Sequence, residues 1–513
     1  MNGAESLIQT LVNGGVDACF MNPGTSEIHF VAALDSTPGM RGVPCLFEGV
    51  ASGAADGYAR MRGKPASTLL HLGPGLSNAL ANLHNACRAQ VPLINIVGDH
   101  ASFHRHFETP LASDIESLAR PYSAWLRRAG SAATVGRDCA EAIAAVRQPR
   151  GGVATLILPA DAAWSEGGHV GPVPAVPVLP MPGRKKIQDA AALLKLGQKA
   201  AIVLGPQTTT EEALIAAGRI AAKTGARLLA PFAFTRLQRG AGRPMVERIA
   251  YVTDQAIQQL SAYAAVILAG APPPVSFFGH PDRPSVLTSE STEVFALAER
   301  EQDCAGALMA LAELVGAAQT PPQVQAREGC SNPTGDITAG ALAAAVAASL
   351  PDNTIVVDES ITSGRGMMAA TAGAAPHDWL VNTGGSIGIG MPLSVGAAVA
   401  CPDRPVLCLE ADGSGMYTLQ ALWTAARENL NITVVVFANR AYAILKGELA
   451  NAGLNAGPKA LDMLDIGRPD IDWVMLAQAM GVPATRAANL ESFAAALRSG
   501  LTSGGPNLIE LPL

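Results

Sequence analysis

Two oxygen-bearing side chains, Asp412 and Asn439, stand 27 positions apart, each at the end of a short apolar run. Asp412 lies in the stretch "CLEADGSGMY", Cys408 to Tyr417, and Asn439 closes "ITVVVFAN", Ile432 to Asn439. A carboxylate is costly to bury without a partner, and a core strand has no structural use for one at its end. Either residue alone is an ordinary helix cap or turn residue. As a pair they fit another purpose. A strand, a helix and a second strand of this length bring two neighbouring strand ends side by side. A carboxylate and an amide oxygen meeting there suit a hard cation such as Mg²⁺, which keeps oxygen ligands and often bridges phosphates. Gly413 and Ser414 follow Asp412 and open a helix, whose free backbone N–H groups favour an anion.

The elements that must position this pair are legible as alternating strands and helices. The apolar runs "LINIVGD" (Leu93–Asp99), "VATLILPAD" (Val153–Asp161), "KAAIVLGP" (Lys199–Pro206), "AAVILAGAP" (Ala264–Pro272) and "TIVVDES" (Thr354–Ser360) are rich in Val, Ile and Leu. Helical patterns separate them, and after Asp412 the residues Leu419, Leu422, Trp423 and Ala426 form one apolar stripe. Such runs describe parallel sheets covered by helices on both faces. Two Pro-rich stretches, Gly167 to Gly183 and Gln319 to Asp336, cannot pair within a central sheet and read as linkers. The fold class expected is therefore α/β, with three doubly wound domains at 1–170, 184–318 and 336–513. Ligands of such domains sit beyond the carboxyl ends of the strands, where Asp412 lies.

Composition removes several function classes. The chain has 513 residues, enough for roughly three domains of ordinary size. Charged residues make up 15% with a net charge of −7, and no basic stretch dominates, which argues against nucleic acid. No apolar stretch approaches the roughly 20 residues needed to span a membrane. The N-terminus "MNGAESLIQTLVNGGVD" has no basic region or cleavage pattern, and the eight cysteines form no Cys-x-x-Cys pair. A reduced cytoplasmic location is expected.

The segment "ADGSG…AN" resembles the thiamin-diphosphate signature, Gly-Asp-Gly followed some 25–30 residues later by Asn-Asn. Over nearly its whole length the chain is similar to the family of acetolactate synthase, benzoylformate decarboxylase and pyruvate oxidase. "ALWTAA" (Ala421–Ala426) resembles the benzoylformate decarboxylase branch. The resemblance implies thiamin diphosphate and Mg²⁺, with Asp412, Asn439 and the backbone carbonyl of Ala441 as metal ligands and Gly413 and Ser414 beside the diphosphate. Two positions depart from the signature: Ala411 replaces its first Gly and Ala438 its first Asn. "DESITSGRG" (Asp358–Gly366) resembles the diphosphate-side loop, with Ser360 and Thr362 as hydroxyl donors. "NTGGSIGIGMPLSVGAA" resembles the segment that cradles the aminopyrimidine. There Gly385 would offer its carbonyl to the 4′-amino group, and Ile387 would force the cofactor into its bent form. The three domains become an N-terminal pyrimidine-binding domain, a central α/β domain and a C-terminal diphosphate-binding domain.

The same resemblance covers the N-terminal third. "LFEGVASGAADGYARMRGKP" matches the family's Glu, small residues and Gly-Tyr-Ala, so Glu48 would protonate N1′ of the cofactor and create its internal base. Without the motif, Glu48 would be an ordinary acid at a helix N-terminus. "CFMNPGTSEIHF" resembles the Asn-Pro-Gly-Ser/Thr loop and places the Thr25 hydroxyl at the substrate. His71 lies 23 residues after Glu48, the offset of the active-site His of benzoylformate decarboxylases. An imidazole titrating near neutrality suits proton relay. His280, from the central domain, is a candidate second active-site His. His100, His104 and His106, in "GDHASFHRHFETP", are candidates for a substrate loop. A metal cluster there lacks further ligands.

Ile444 and Leu445 fall where the family lines the pocket for the substrate side chain, and their bulk favours a small 2-oxo acid over an aryl one. The reaction implied is decarboxylation of a 2-oxo acid, with the enamine released as aldehyde or transferred to an acceptor carbonyl. An acetolactate-synthase-type transferase joining two 2-oxo acids is the alternative. A non-catalytic cofactor-binding relative is a further alternative, against which both Glu48 and Asp412 are present. A nucleotide-dependent dehydrogenase lacks the early Gly-x-Gly-x-x-Gly it would need. FAD occupies the central domain of some relatives, but no residue set here identifies flavin. A homodimer or homotetramer is expected, with active sites at the subunit interface.

Overall fold

The computed structural model describes residues 1–149, 151–173, 175–329 and 333–513. Each of the three stretches rich in Val, Ile and Leu forms its own parallel sheet. The N-terminal sheet has six strands in the order Arg41–Pro44, Ala18–Asn22, Ala66–Leu70, Leu93–Asp99, Val153–Pro159, Trp125–Arg128, all parallel. Leu93–Asp99 and Val153–Pro159 are buried at every residue, as strands covered on both faces must be. The middle sheet runs Glu247–Arg248, Arg227–Ala230, Ala200–Leu204, Ala265–Ala269, Glu293–Ala298, again parallel.

The C-terminal sheet has six parallel strands: Ala484–Arg486, Asn507–Pro512, Ile432–Ala438, Val406–Ala411, Thr354–Glu359 and His377–Val381. A seventh, Leu237–Arg239, pairs antiparallel with His377–Val381. It comes from the stretch that otherwise builds the middle sheet, and it covers an edge that would be left unpaired. Val406–Ala411 and Ile432–Ala438 are direct neighbours, with Ala411 opposite Phe437. The crossover expected between Asp412 and Asn439 is therefore present.

The N- and C-terminal sheets share a core through two small-residue helices, Glu48–Arg62 and Gly390–Ala400. A Cβ on Gly57 would fall 2.1 Å from the Leu393 carbonyl oxygen, and one on Gly396 would fall 1.8 Å from that of Ala54. Only glycine permits this approach. Arg60 fastens the junction from within the helix. It pairs with Asp56 at 2.7 Å and donates to the carbonyls of Val381 at 2.8 Å and Thr235 at 3.1 Å. One buried guanidinium thus ties all three stretches together. Among the described residues no helix is long and apolar enough to cross a membrane.

Candidate active site

Asp412 begins a single helical turn, Asp412–Gly415, at the carboxyl end of its strand. Its side chain is buried and accepts only backbone N–H groups: Gly413 at 2.9 Å on Oδ1 and Arg440 at 2.6 Å on Oδ2. Burial raises its pKa, and the two backbone donors oppose that. Arg440 sits in the left-handed region at φ 57°, so the chain turns sharply after Asn439 and brings its N–H onto Asp412. Asn439 Oδ1 accepts the Ala441 N–H at 3.0 Å, while its Nδ2 lies 3.4 Å from the Ser363 hydroxyl. Asp412 and the 439–441 turn are thus in direct contact. The Ser414 hydroxyl is directed away from the turn and donates to Glu410.

The glycine-rich turn beside them is pinned by two side chains. Glu359 is fully buried and accepts the N–H groups of Gly388, Ile389 and Gly390 on one oxygen, at 3.1, 2.8 and 2.7 Å. Asn382 donates to Glu359 and to the Ser386 carbonyl, and accepts from Gly384 and Gly385. Gly385 holds φ 79°, a conformation open to glycine. Glu359 lies opposite Glu410 on the adjacent strand, also fully buried. Burial pushes Glu359 up to about 7, and Glu410 rises further because Glu359's charge adds to its burial.

Gly385 and Ile387 open on a cavity of about 980 Å³ between the C-terminal and middle sheets. Ser360, Tyr417, Tyr442, Ile444 and Leu445 line it from one side and Phe232, Arg248, Tyr251, Phe277 and Phe278 from the other. A Cβ on Gly385 would meet the Phe277 ring at 2.8 Å. Ser360 turns its hydroxyl back onto Asp358. Thr362 is partly exposed in the same loop. His280 does not line this cavity; Phe277 and Phe278 of the same loop do.

A second set of groups lies at the carboxyl ends of the N-terminal strands. Glu48 is the first residue of its helix and is buried, with Asn78 Nδ2 donating to it at 2.9 Å and Gly75 held against it. His71 caps the next helix, and its Nδ1 lies 2.7 Å from Glu27 Oε2. Glu27 is 1% exposed, also accepts the Gly24 N–H, and leaves Oε1 without a partner. Burial raises its pKa. Gly24 lies so close to the imidazole that a Cβ would clash with Nδ1, and Thr25 follows it, exposed. His100 stacks obliquely on His104 and accepts or donates with Thr109 at 3.0 Å. Burial, then the charges of His104 and His71, lower its pKa. His106 packs on Phe107. Neither Glu48 nor His71 lines the large cavity.

Two half-sites of this kind, one of acids and imidazole and one of glycine turn and oxygen ligands, are what a cofactor clamped between sheets requires. Residues 1–118 match the thiamine pyrophosphate enzyme N-terminal TPP binding domain, and residues 362–511 match the C-terminal TPP binding domain. The chain is 53% identical over 513 residues, all of this chain and 99% of the relative, to the Mycobacterium tuberculosis protein named "Putative acetolactate synthase large subunit IlvX". It is 26% identical to a benzoylformate decarboxylase of Pseudomonas aeruginosa, covering 97% of this chain and 96% of that one. The chain belongs to the thiamine pyrophosphate enzyme family. Among solved structures, a thiamine diphosphate-dependent 4-hydroxybenzoylformate decarboxylase from Rhodococcus jostii superimposes with a TM-score of 0.86 at 25% identity, covering 100% and 99% of the two chains.

The residues present fit the cofactor of this family. Asp412 offers a buried carboxylate with only backbone partners, beside the turn that carries Asn439, an oxygen donor set of the kind a hard cation takes. No group of three or more His, Cys, Asp or Glu capable of holding a metal occurs among the described residues. Glu27, Glu359 and Asn382 were not singled out by sequence. Glu27 acts on an imidazole 44 residues on and Glu359 on a turn some 30 residues on, partners no spacing rule marks, while Asn382 fastens its own turn at Gly384, Gly385 and Ser386.

Proposed function

We propose that this thiamine pyrophosphate enzyme decarboxylates a 2-oxo acid and releases the product as aldehyde or passes it to an acceptor carbonyl. The observation that carries this reading is the pairing of a buried helix-leading Glu48 with a separate turn built on Asp412 and Asn439. Bound thiamin diphosphate would supply a carbanion at its thiazolium carbon that adds to the 2-oxo group and holds the electrons left by carbon dioxide. Asp412, Asn439 and the Ala441 carbonyl would hold Mg²⁺ against the diphosphate. Gly385 and Ile387 would set the aminopyrimidine. Glu48, oriented by the Asn78 amide that donates to it, would exchange a proton with N1′ of the cofactor. His71, with its Nδ1 on Glu27, is left with Nε2 free to give or take a proton at the substrate oxygen. Thr25 adds a hydroxyl to the same side.

The site is completed by a second copy of the chain. Glu48 and His71 lie apart from the cavity lined by Gly385 and Ile387, and that separation supports a dimer in which each chain's Glu48 serves the other's diphosphate turn. Sedimentation showing a fully active monomer would overturn this. The transferase alternative differs only in the acceptor. Product analysis with pyruvate and with benzoylformate, each with and without an acceptor aldehyde, tests the reading. Aldehyde or hydroxyketone formation supports it. No consumption of any 2-oxo acid by protein saturated with thiamin diphosphate and Mg²⁺ would refute it. Whether the central domain holds FAD is decided by the colour of the purified protein, a yellow one showing flavin.

A further inference from the structure

The wall of the large cavity contributed by the middle sheet carries a guanidinium that the protein leaves without a counter-ion. Arg248 ends the edge strand Glu247–Arg248. Its Nε donates to the Phe232 carbonyl at 2.7 Å, and its guanidinium carbon lies 4.1 Å from the Phe232 ring centre and 5.5 Å from that of Phe234. Among the described residues no carboxylate forms an ion pair with it. The residue lines the cavity, so its two terminal nitrogens have that space as their outlet. Burial lowers its pKa to about 10, and the charge of Asp358, which lines the same cavity, opposes this without forming an ion pair. Of the other charged residues lining the cavity, Glu247 pairs with Arg227, and Arg239 donates to Thr371 and Met368. Arg365 is exposed to solvent.

Enclosing a guanidinium without an anion is expensive, and the flat fork of Arg matches a carboxylate in two-point fashion. The lining the cavity offers beside Arg248 includes the aromatic and apolar side chains of Tyr251, Phe277, Tyr417, Ile444 and Leu445. The same cavity of about 980 Å³ is lined by Gly385 and Ile387, where the cofactor is placed above, and by Arg248, so the two open on one space. We propose that Arg248 is a specificity-determining residue that binds a carboxylate at the far end of the substrate, so that the preferred substrate is an elongated 2-oxo dicarboxylic acid. This rests on the 2-oxo acid reading above. The far carboxylate is not consumed. It is held by charge-assisted hydrogen bonds while the 2-oxo end reacts at the cofactor.

The experiment compares 2-oxoadipate with 2-oxohexanoate, equal in chain length and different in the terminal charge, on wild type, Arg248→Met and Arg248→Lys. Wild type is expected to favour the diacid in kcat/KM by about 10- to 100-fold, the range for hydrogen bonds to a charged group. In Arg248→Met the ratio of the two kcat/KM values falls toward one, and Arg248→Lys restores part of it. A second arm needs no turnover: calorimetric titration of cofactor-free protein with adipate, whose binding is expected in wild type and lost in Arg248→Met. A wild-type ratio near one, or a ratio unchanged in Arg248→Met, overturns the proposal. So does tight binding of ADP or FAD that Arg248→Met abolishes, which would give the guanidinium to a phosphate instead. If neither acid is consumed but adipate still binds through Arg248, the reaction reading fails while the anion subsite stands.

Discussion

The two half-sites hold charge by different means. At the N-terminal strand ends the work falls to side chains acting on side chains: Asn78 on Glu48, and Glu27 on His71. At the C-terminal strand ends carboxylates are held by backbone, Asp412 by two N–H groups and Glu359 by three. The first arrangement can be altered one proton at a time with little effect on the fold. The second is part of the fold, since the donors are the turns themselves. An enzyme that must move protons and also grip a charged, rigid cofactor has reason to separate these tasks, because proton transfer needs groups that change charge and gripping needs groups that do not.

The largest expected effect falls on the mobile-proton half. Glu48→Gln keeps size and the contact with Asn78 but cannot exchange a proton. Activity should fall by roughly 10²–10⁴, the range for losing a positioned acid–base group, with cofactor affinity near normal. Hydrogen–deuterium exchange at the thiazolium C2 of bound thiamin diphosphate reads this directly. Exchange as fast as wild type would remove Glu48 from the activating role.

Next comes the gripping half. Asp412→Ala removes the proposed metal ligand and also frees the Gly413 and Arg440 N–H groups. Partners one shell away from a metal cost about 10- to 100-fold in affinity, and a ligand should cost at least as much. Titration of thiamin diphosphate with Mg²⁺ present measures it. Unchanged affinity would assign the cation elsewhere.

Glu27→Gln tests whether the N-terminal half works as a unit. The carboxylate beside Nδ1 fixes the orientation and tautomer of His71. A loss of about 10-fold in kcat is expected, smaller than that for Glu48, with KM and cofactor affinity near normal. An unchanged kcat would make Glu27 a packing residue only.

How much of this was legible in sequence follows the same division. Asp412 and Asn439 were found because a strand, a helix and a strand put their ends together at a fixed spacing, and the sheet register bears that geometry out. The three parallel sheets followed from continuous apolar runs. What sequence concealed were long-range partners. Glu27 meets His71 across 44 residues, and Glu359 meets a turn some 30 residues on. The strand Leu237–Arg239 is too short to announce that it leaves its own sheet to cap another. Ile444 and Leu445 were expected to line a pocket, and the cavity they line has an opposite wall from a loop of Phe277 and Phe278 whose position no local pattern encodes.

The smallest effect is on stability, and it separates a carboxylate gripped by the fold from one that reacts. Glu359 is fully buried, and burial outweighs its backbone donors, so its folded pKa rises from 4.5 to about 7. Between those values the folded protein retains a proton that the unfolded chain has released. Unfolding then releases a proton, so stability falls as pH rises through this window. Below about 4.5 both states are protonated and the full stability remains; above about 7 the loss is complete. Glu359→Gln removes the titration while its amide oxygen can still accept from the 388–390 turn. Urea unfolding of cofactor-free protein across this range should show a shallower decline in the variant than in wild type. The decline should not vanish, because Glu410 next to it is buried and raised in the same direction. Parallel curves for the two proteins would mean that Glu359 is already ionised in the fold, its charge carried by the three N–H groups and the Asn382 amide.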